Sequence, residues 1–225
     1  ISWSGGTLDP QLQSALLNGF STGLINPNAP GLTTWTYSTS GLNLDFLAAG
    51  DSIAFSYTFQ ATDNTGASAT DVVRFSITGA NDPIVVTSSA QIGAVTEDST
   101  ALASGAVSFF DIDLNDQHSV TATGSALYGS FSLGTLTDTT GNGSGGSQPW
   151  SYTLDSSNPA VQALGLGQTL IESFSINLSD SNGSTTSQTV TVTITGANDP
   201  IVVTSSAQLG AVTEDSTALA SGAVS

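Results

Sequence analysis

Residues 78–108 read TGANDPIVVTSSAQIGAVTEDSTALASGAVS, and residues 195–225 read TGANDPIVVTSSAQLGAVTEDSTALASGAVS. The two stretches lie 117 positions apart, and Ile92 standing opposite Leu209 is their one difference. Near-identity over this length marks a tandem array built on a long structural unit. The same offset extends upstream with looser identity, placing Tyr57 on Phe174, Phe59 on Ile176, Asp63 on Asp180 and Gly66 on Gly183. Further back, Trp35-Thr-Tyr37 matches Trp150-Ser-Tyr152 with a shift of two, and Gly6-Thr-Leu8 matches Gly134-Thr-Leu136. By this register residues 1–80 are the later part of a first repeat, 81–197 a complete second repeat, and 198–225 the front of a third. The chain begins at Ile1 rather than Met and reads as a fragment or processed piece. Either its ends fall without regard to domains, or a neighbour's tail completes the broken repeat by strand donation.

Within a repeat, alternation of apolar and polar residues marks the strands. Residues 188–194, QTVTVTI, put Val190, Val192 and Ile194 on one face and Thr189, Thr191 and Thr193 on the other. Residues 170–178, LIESFSINL, set Leu170, Glu172, Phe174, Ile176 and Leu178 against Ile171, Ser173, Ser175 and Asn177. A period of two with one wet face indicates antiparallel sheet. Turn residues interrupt the strands at ASG, TGN, SNP, DSNG and GAND. About seven strands per repeat without a long helix predict an all-β fold of tandem immunoglobulin-like antiparallel β-sandwiches. Trp150 and Tyr152, like Trp35 and Tyr37, supply the aromatic bulk of each predicted core. Two short helices are expected. One spans the insert DPQLQSALLNGF (9–20), with Asp9 as N-cap, Pro10 at N1, Leu12, Leu16 and Leu17 on one face, and Gly19 as the stop. The other is a single turn in SNPAVQALG (157–165), with Pro159 at N1 and Gly165 as the stop.

Composition excludes several classes of function. The chain of 225 residues carries 18 acids against one basic residue, Arg74, for a formal charge of −17. Such a surface cannot neutralise phosphates or anionic lipid, and no apolar run approaches the ~18 residues of a membrane span, so neither nucleic acid nor membrane insertion is expected. Without cysteine there is no disulfide, thiolate metal site or thiol nucleophile. No G-x-S-x-G, P-loop or G-x-G-x-x-G is present, and no nucleophile sits with a base, so an enzyme is not expected. Leu, Ile, Val and Phe make up 55 of the 225 residues, enough for packed cores despite the charge.

Of the 18 acids 15 are Asp, and they cluster. Asn81-Asp82-Pro83 and Asn198-Asp199-Pro200 stand at repeat boundaries. Glu97-Asp98 follows a short strand. FFDIDLND carries Asp111, Asp113 and Asp116, and Asp180 opens DSNG before the last hairpin. Clustered carboxylates repel one another unless a cation sits among them. Hard oxygen donors suit Ca2+, which takes six to eight oxygens in irregular geometry, better than the strict octahedron of Mg2+. Transition metals would ask for the His and Cys that this chain all but lacks. The D-x-D spacing in extended chain puts Asp111 and Asp113 on one side. The alternative is that these residues only cap turns. His118, next to acids, reads as a solvated or strand-edge residue.

The ordered motifs NDP, VTED, FFDIDLND, LSDSNG and VTVTITGANDP resemble the VCBS repeat of bacterial RTX-type adhesins. They are also similar to the cadherin repeat, with its N-D-N-P linker, x-E-N, D-x-D and D-x-G. The resemblance covers nearly the whole chain. It implies a Ca2+-stiffened extender module of a large secreted adhesin, exported by type I secretion, on the cell surface in adhesion or biofilm. It also implies the ligand sets. Asn81, Asp82, Asp111, Asp113 and Asp180 would hold an ion between the first two repeats. Glu97, Asn198 and Asp199 would serve the next junction, whose D-x-D would start three positions past Ser225. Asp98 and Asp155 are weaker candidates. Pro83 and Pro200 replace the second Asn of the cadherin linker, and sites within a repeat centred on Asp63 or Asp180 remain an alternative. Two other functions compete with the spacer: a filament subunit completed by strand donation from a neighbouring chain, and a homophilic or glycan-binding module.

Overall fold

The computed structural model describes residues 1–23, 31–215 and 219–225. Part of the segment that repeats 99–101, at 216–218, thus lies outside the described residues. Among those described, the chain forms β1 (Ser2–Trp3), α1 (Pro10–Asn18), β2 (Phe20–Thr22), β3 (Trp35–Tyr37), β4 (Ser52–Thr62) and β5 (Ser68–Thr78). There follow β6 (Val85–Val86), β7 (Gln91–Thr96), β8 (Leu102–Phe110), β9 (His118–Thr123), β10 (Gly129–Leu133) and β11 (Gly146–Leu154). Then come α2 (Pro159–Gln162), β12 (Thr169–Asp180) and β13 (Thr185–Thr195).

Strands β6 to β13 make two four-stranded sheets, ordered β10-β11-β8-β6 and β7-β13-β12-β9. The chain enters on one sheet at β6 and crosses to the other at β7, which runs parallel to β13. The remaining pairs are antiparallel. The alternation read from the sequence sets the layers. Val190, Val192 and Ile194 of β13 and Phe174, Ile176 and Leu178 of β12 are buried, and they meet Val107, Phe109, Trp150 and Tyr152 from the other sheet. Phe131 stacks on Phe174 with ring centroids 4.3 Å apart. Two glycines let β7 and β8 close over Trp150. A Cβ at Gly105 would lie 2.7 Å from the indole, and one at Gly93 would lie 3.3 Å from it. The indole Nε1 donates to Gln91 Oε1 at 3.0 Å, which satisfies its one polar atom inside the core.

Residues 1–80 carry the corresponding second half. β4 and β5 pair in the register of β12 and β13, shifted by 117. A smaller core of Leu8, Leu16, Leu47, Ile53 and Phe55 sits beneath α1. That helix forms as its residues dictate: the Asp9 carboxylate accepts from the N–H groups of Gln11 and Leu12, two donors that the first turn leaves without partners. Leu16 is buried, but Leu17 lies on the solvent side, so the apolar face is narrower than expected. In α2, Asn158 is the N-cap and the turn closes at Ala163, before Gly165.

Two expectations for this half do not hold. Trp35 is 45% exposed, whereas Trp150 is 2% exposed. No counterpart of β7 and β8 covers it among the described residues. The stretch before Gly6-Thr-Leu8 also departs from its match. Residues 129–133 form β10 beside β11, but β1 pairs with the start of β4 and β2 takes the place beside β3. The helical insert moves Phe20 opposite Tyr37, the relation that Phe131 has to Tyr152. An unpaired strand edge exposes backbone donors and acceptors, and Ser2 and Trp3 occupy a stretch of the β4 edge that would otherwise be open.

Candidate metal centre

The acidic cluster forms where the loop between β8 and β9 folds back against the β12–β13 turn and the linker before β6. The turn is built first. Asp180 Oδ1 accepts from the N–H groups of Asn182 and Ser184, both at 2.8 Å. Asp63 does the same for Thr65 and Ala67 in the earlier hairpin. At Asp63 the matter ends in solvent. At Asp180 the second oxygen points inward and accepts from Asn81 Nδ2 at 3.3 Å. Burial pushes the Asp180 carboxyl up, but the N–H groups of Ser184 and Asn182 outweigh it and hold it below its ordinary value.

The β8–β9 loop brings Asp111, Asp113 and Asp116, all buried. One carboxylate oxygen from each of Asp111, Asp116 and Asp180 lies within 4.8 Å of the other two. Asp113 Oδ2 accepts the Asp82 N–H at 2.8 Å, which ties the loop to the linker. Asn182 Nδ2 donates to Asp116 Oδ1 at 2.5 Å. Three buried oxygens in this neighbourhood have no hydrogen-bond partner: Asn81 Oδ1, Asp113 Oδ1 and Asp116 Oδ2. Burial, and then the negative charges of Asp116, Asp111 and Asp82, push the Asp113 carboxyl up to about 6, although the Asp82 N–H opposes the shift. Asp116 is raised by burial and by Asp111 and Asp180. Orphaned acceptors under mutual repulsion fit the coordination shell of a hard cation.

His118 opens the edge strand β9, as one expectation had it, but it is buried instead of solvated. Its ring is buried between two carboxylates, Nδ1 to Asp138 Oδ1 at 2.6 Å and Nε2 to Asp111 Oδ2 at 3.1 Å. Burial lowers its pKa, but the bonds to Asp138 and Asp111 prevail and raise it. Asp138 is conversely held low, its burial outweighed by the N–H and ring of His118. The imidazole orients Asp111 from behind and compensates part of the cluster's charge.

A second group assembles at the far end of the sandwich. Glu97, Asp98 and Asp199 place carboxylate oxygens within 4.8 Å of one another. Glu97 is fully buried and accepts from Gln162 Nε2 at 2.9 Å and from the Ala197 N–H at 3.1 Å. Asp98 holds a left-handed backbone, φ 57°. Asn198 is exposed, and its Nδ2 donates to the Asp199 carbonyl at 3.3 Å, as Asn81 Nδ2 donates to the Asp82 carbonyl at 3.1 Å. Asp155 caps a turn, accepting from Ser157 N and Oγ, and is apart from both clusters.

Sequence reasoning passed over Asp116 as a ligand and did not single out Asn182, Asp138, Asn115 or Asp51. The Asn115 amide reaches the Asp51 carboxylate at 2.7 and 2.9 Å, and Leu114 N donates to Phe46 O at 3.2 Å. These contacts join the β8–β9 loop to residues 1–80. Three acids at odd spacing in FFDIDLND were the available signal. Spacing alone could not reveal which oxygens converge.

No protein-family model and no curated protein matches the chain. Among solved structures, the sialic acid binding region of the Streptococcus sanguinis SK1 adhesin bound to 3'sLn aligns with 63% of this chain and 37% of its own, at 13% identity and a TM-score of 0.36. Mouse clustered PcdhgC3 EC1-3 aligns with 64% of this chain and 42% of its own, at 11% identity and TM-score 0.31. Domains 4 and 5 of the S-layer protein SbsC align with 74% of this chain and 84% of their own, at 13% identity and TM-score 0.30. The chain thus matches well under half the length of the first two, and at these values none of the three assigns it a ligand or an activity.

Proposed function

We propose that Asp111, Asp113, Asp116 and Asp180, with Asn81 and Asp82 of the linker, bind Ca2+, and that the ion stiffens the joint between residues 1–80 and the sandwich that follows. The supporting observation is the set of buried, unpartnered oxygens on Asn81, Asp113 and Asp116, gathered where the linker meets the loop that touches residues 1–80. A cation there removes carboxylate repulsion and ties linker, loop and hairpin turn to one point. Glu97, Asp98 and Asp199 are one side of an equivalent joint at the other end. Repetition of such joints makes a stiff rod, and we read the chain as an extracellular spacer module of a larger adhesion protein. Millimolar Ca2+ outside cells and far less inside would leave the chain loose during export and stiff afterwards.

The test is thermal unfolding together with small-angle scattering on the chelated chain, then with Ca2+ or Mg2+ added. A Ca2+-specific rise in midpoint with a narrower distribution of interdomain distances is the expected result. An equal response to Mg2+, or none to Ca2+, refutes the proposal.

A further inference from the structure

The loop between β8 and β9 has two sides. Asp111, Asp113 and Asp116 are buried, whereas Leu114 is half-buried and Asn115 exposed. The two outer residues face the part of the chain that precedes the linker. Leu114 N–H donates to Phe46 O at 3.2 Å, and Asn115 Nδ2 donates to both carboxylate oxygens of Asp51, at 2.9 and 2.7 Å. Gly5 leaves room for that amide, since a Cβ there would run into Asn115 Nδ2. On the other side, Leu114 O accepts the Gly141 N–H at 2.7 Å and Asp113 Oδ2 accepts the Asp82 N–H at 2.8 Å. The peptide groups flanking Leu114 are therefore braced from opposite directions, one across the joint and one within the sandwich.

The acceptors across the joint are particular to it. The 117-residue offset puts Gln168 in the place of Asp51 and Ala163 in that of Phe46. The backbone is alike at the two positions: Asp51 O accepts the Gly79 N–H at 3.0 Å, and Gln168 O accepts the Gly196 N–H at 2.8 Å. The side chains differ. Gln168 Oε1 folds back onto the Gly165 N–H at 2.8 Å, but the buried Asp51 carboxylate takes Ser4 Oγ and the Asn115 amide. A buried carboxylate is costly unless donors meet it, and two of these three bonds come from Asn115 across the joint.

We propose that Phe46 O and the Asp51 carboxylate form a seat for Leu114 and Asn115, and that docking in this seat orders the acid-bearing loop and so sets the affinity of the joint for its ion. The affinity part rests on the calcium reading above. Leu114 and Asn115 are the two residues between Asp113 and Asp116, so the backbone that carries both carboxylates is fixed from outside the sandwich. An ion that met an undocked loop would have to offset the entropy of ordering it. The seat bears that cost beforehand, which is positive cooperativity between docking and binding. The coupling is reciprocal. Bound Ca2+ tightens the docking, and tension that draws the two sides of the joint apart weakens the hold on Ca2+.

Asp51→Ala, Asn115→Ala and the double variant test this in the whole chain, and neither residue is among the proposed ligands. In EDTA, amide exchange followed by NMR at the Gly141 and Asp82 N–H groups reports the order of the loop. Calorimetric titration with Ca2+ reports affinity. Each single variant should exchange faster at both amides and raise the Ca2+ dissociation constant about fivefold or more, the lower end of usual coupling between sites. The double variant should do no more than either single one, because both remove the same contact. Amides of the β12–β13 ladder should exchange as in wild type, which separates loss of the seat from general loosening of the sandwich. Asn115 is exposed, so its variant carries the test even where Asp51→Ala disturbs its own surroundings. Wild-type exchange at Gly141 and Asp82 in the Asn115→Ala chain, or single effects that add in the double variant, overturns the seat. Faster exchange with unchanged Ca2+ affinity overturns the coupling. A wild-type chain that binds no Ca2+ fells the calcium reading and the affinity part with it, while exchange in EDTA still decides whether the seat orders the loop.

Discussion

Asp113→Asn should raise the stability of the metal-free protein and lower that of the Ca2+-loaded one. The Asp113 carboxyl is buried and pushed up to about 6 from an ordinary 3.8 by burial and by Asp116, Asp111 and Asp82. A carboxyl whose folded pKa is raised binds its proton more tightly in the folded chain than in the unfolded one. Its ionisation therefore costs stability, from nothing near pH 3.8 to the full amount above about 6. At 1.36 kcal/mol per unit, roughly two units correspond to about 3 kcal/mol. Asparagine removes this charge at constant shape. Its Oδ1 can keep the Asp82 N–H, and its amide can face the oxygens that repel Asp113 Oδ1. At roughly 4–5 °C per kcal/mol for a domain of about 100 residues, the metal-free variant should melt roughly 12–15 °C above wild type at pH 8. Calcium should reverse the order. An ion at a thousand times its dissociation constant adds about 4.1 kcal/mol to wild type, more than the roughly 3 kcal/mol by which the variant starts ahead, and the variant, short of one anionic donor, should gain less than about 1 kcal/mol. The assay is calorimetry in EDTA and in millimolar Ca2+, each at pH 8 and pH 5. His118 acts with the same sign in EDTA, because its raised pKa gives stability that is complete below 6.5 and lost as pH rises through the folded value. Metal-free wild type should therefore gain stability from pH 8 to pH 5, and the variant should gain less, keeping the parts from His118 and from Asp116, whose carboxyl is likewise raised. A variant that melts below wild type in EDTA, or that gains as much as wild type from Ca2+, would refute the reasoning.

Other substitutions probe the parts separately. Gly105→Ala drives a methyl into the Trp150 indole and should cost about 1–3 kcal/mol, read as a lower urea midpoint at constant m. Glu97→Gln keeps one acceptor for Ala197 N–H but sets an amide against the Gln162 amide. A loss of about 1 kcal/mol is expected on denaturant unfolding in EDTA, since the exposed Gln162 amide loses its carboxylate partner and keeps the Ser156 carbonyl at 2.9 Å. Asn115→Ala removes the amide from Asp51 and leaves Ser4 Oγ, at 3.1 Å, as its one side-chain partner. Small-angle scattering should then show a wider spread of distances between residues 1–80 and the sandwich, with the melting of the sandwich unchanged within about 1 kcal/mol.

Much of this protein was legible locally. Strand alternation in QTVTVTI and LIESFSINL set which side chains enter the core, because a period of two leaves each strand one buried face. Asp9, Asn158, Asp63 and Asp180 cap the turns and helices that follow them, since a short acceptor next to free N–H groups acts within a few residues. The gathering of acids at linker, loop and hairpin was visible as well. The tertiary structure decided what depends on distant partners. Asp111, Asp116 and Asp180 converge, with Asn182 and His118 behind them, because three separate elements meet at one end of the sandwich. Trp150 is covered while Trp35 is not, and β1 lies against β4 although its match, β10, lies against β11. The clearest case is the repeated segment: Ile84, Val95 and Val107 are buried, and their matches Ile201, Val212 and Val224 are exposed. Burial and ladder pairing belong to contacts between segments, so they follow the sheets that a segment meets and not its own residues.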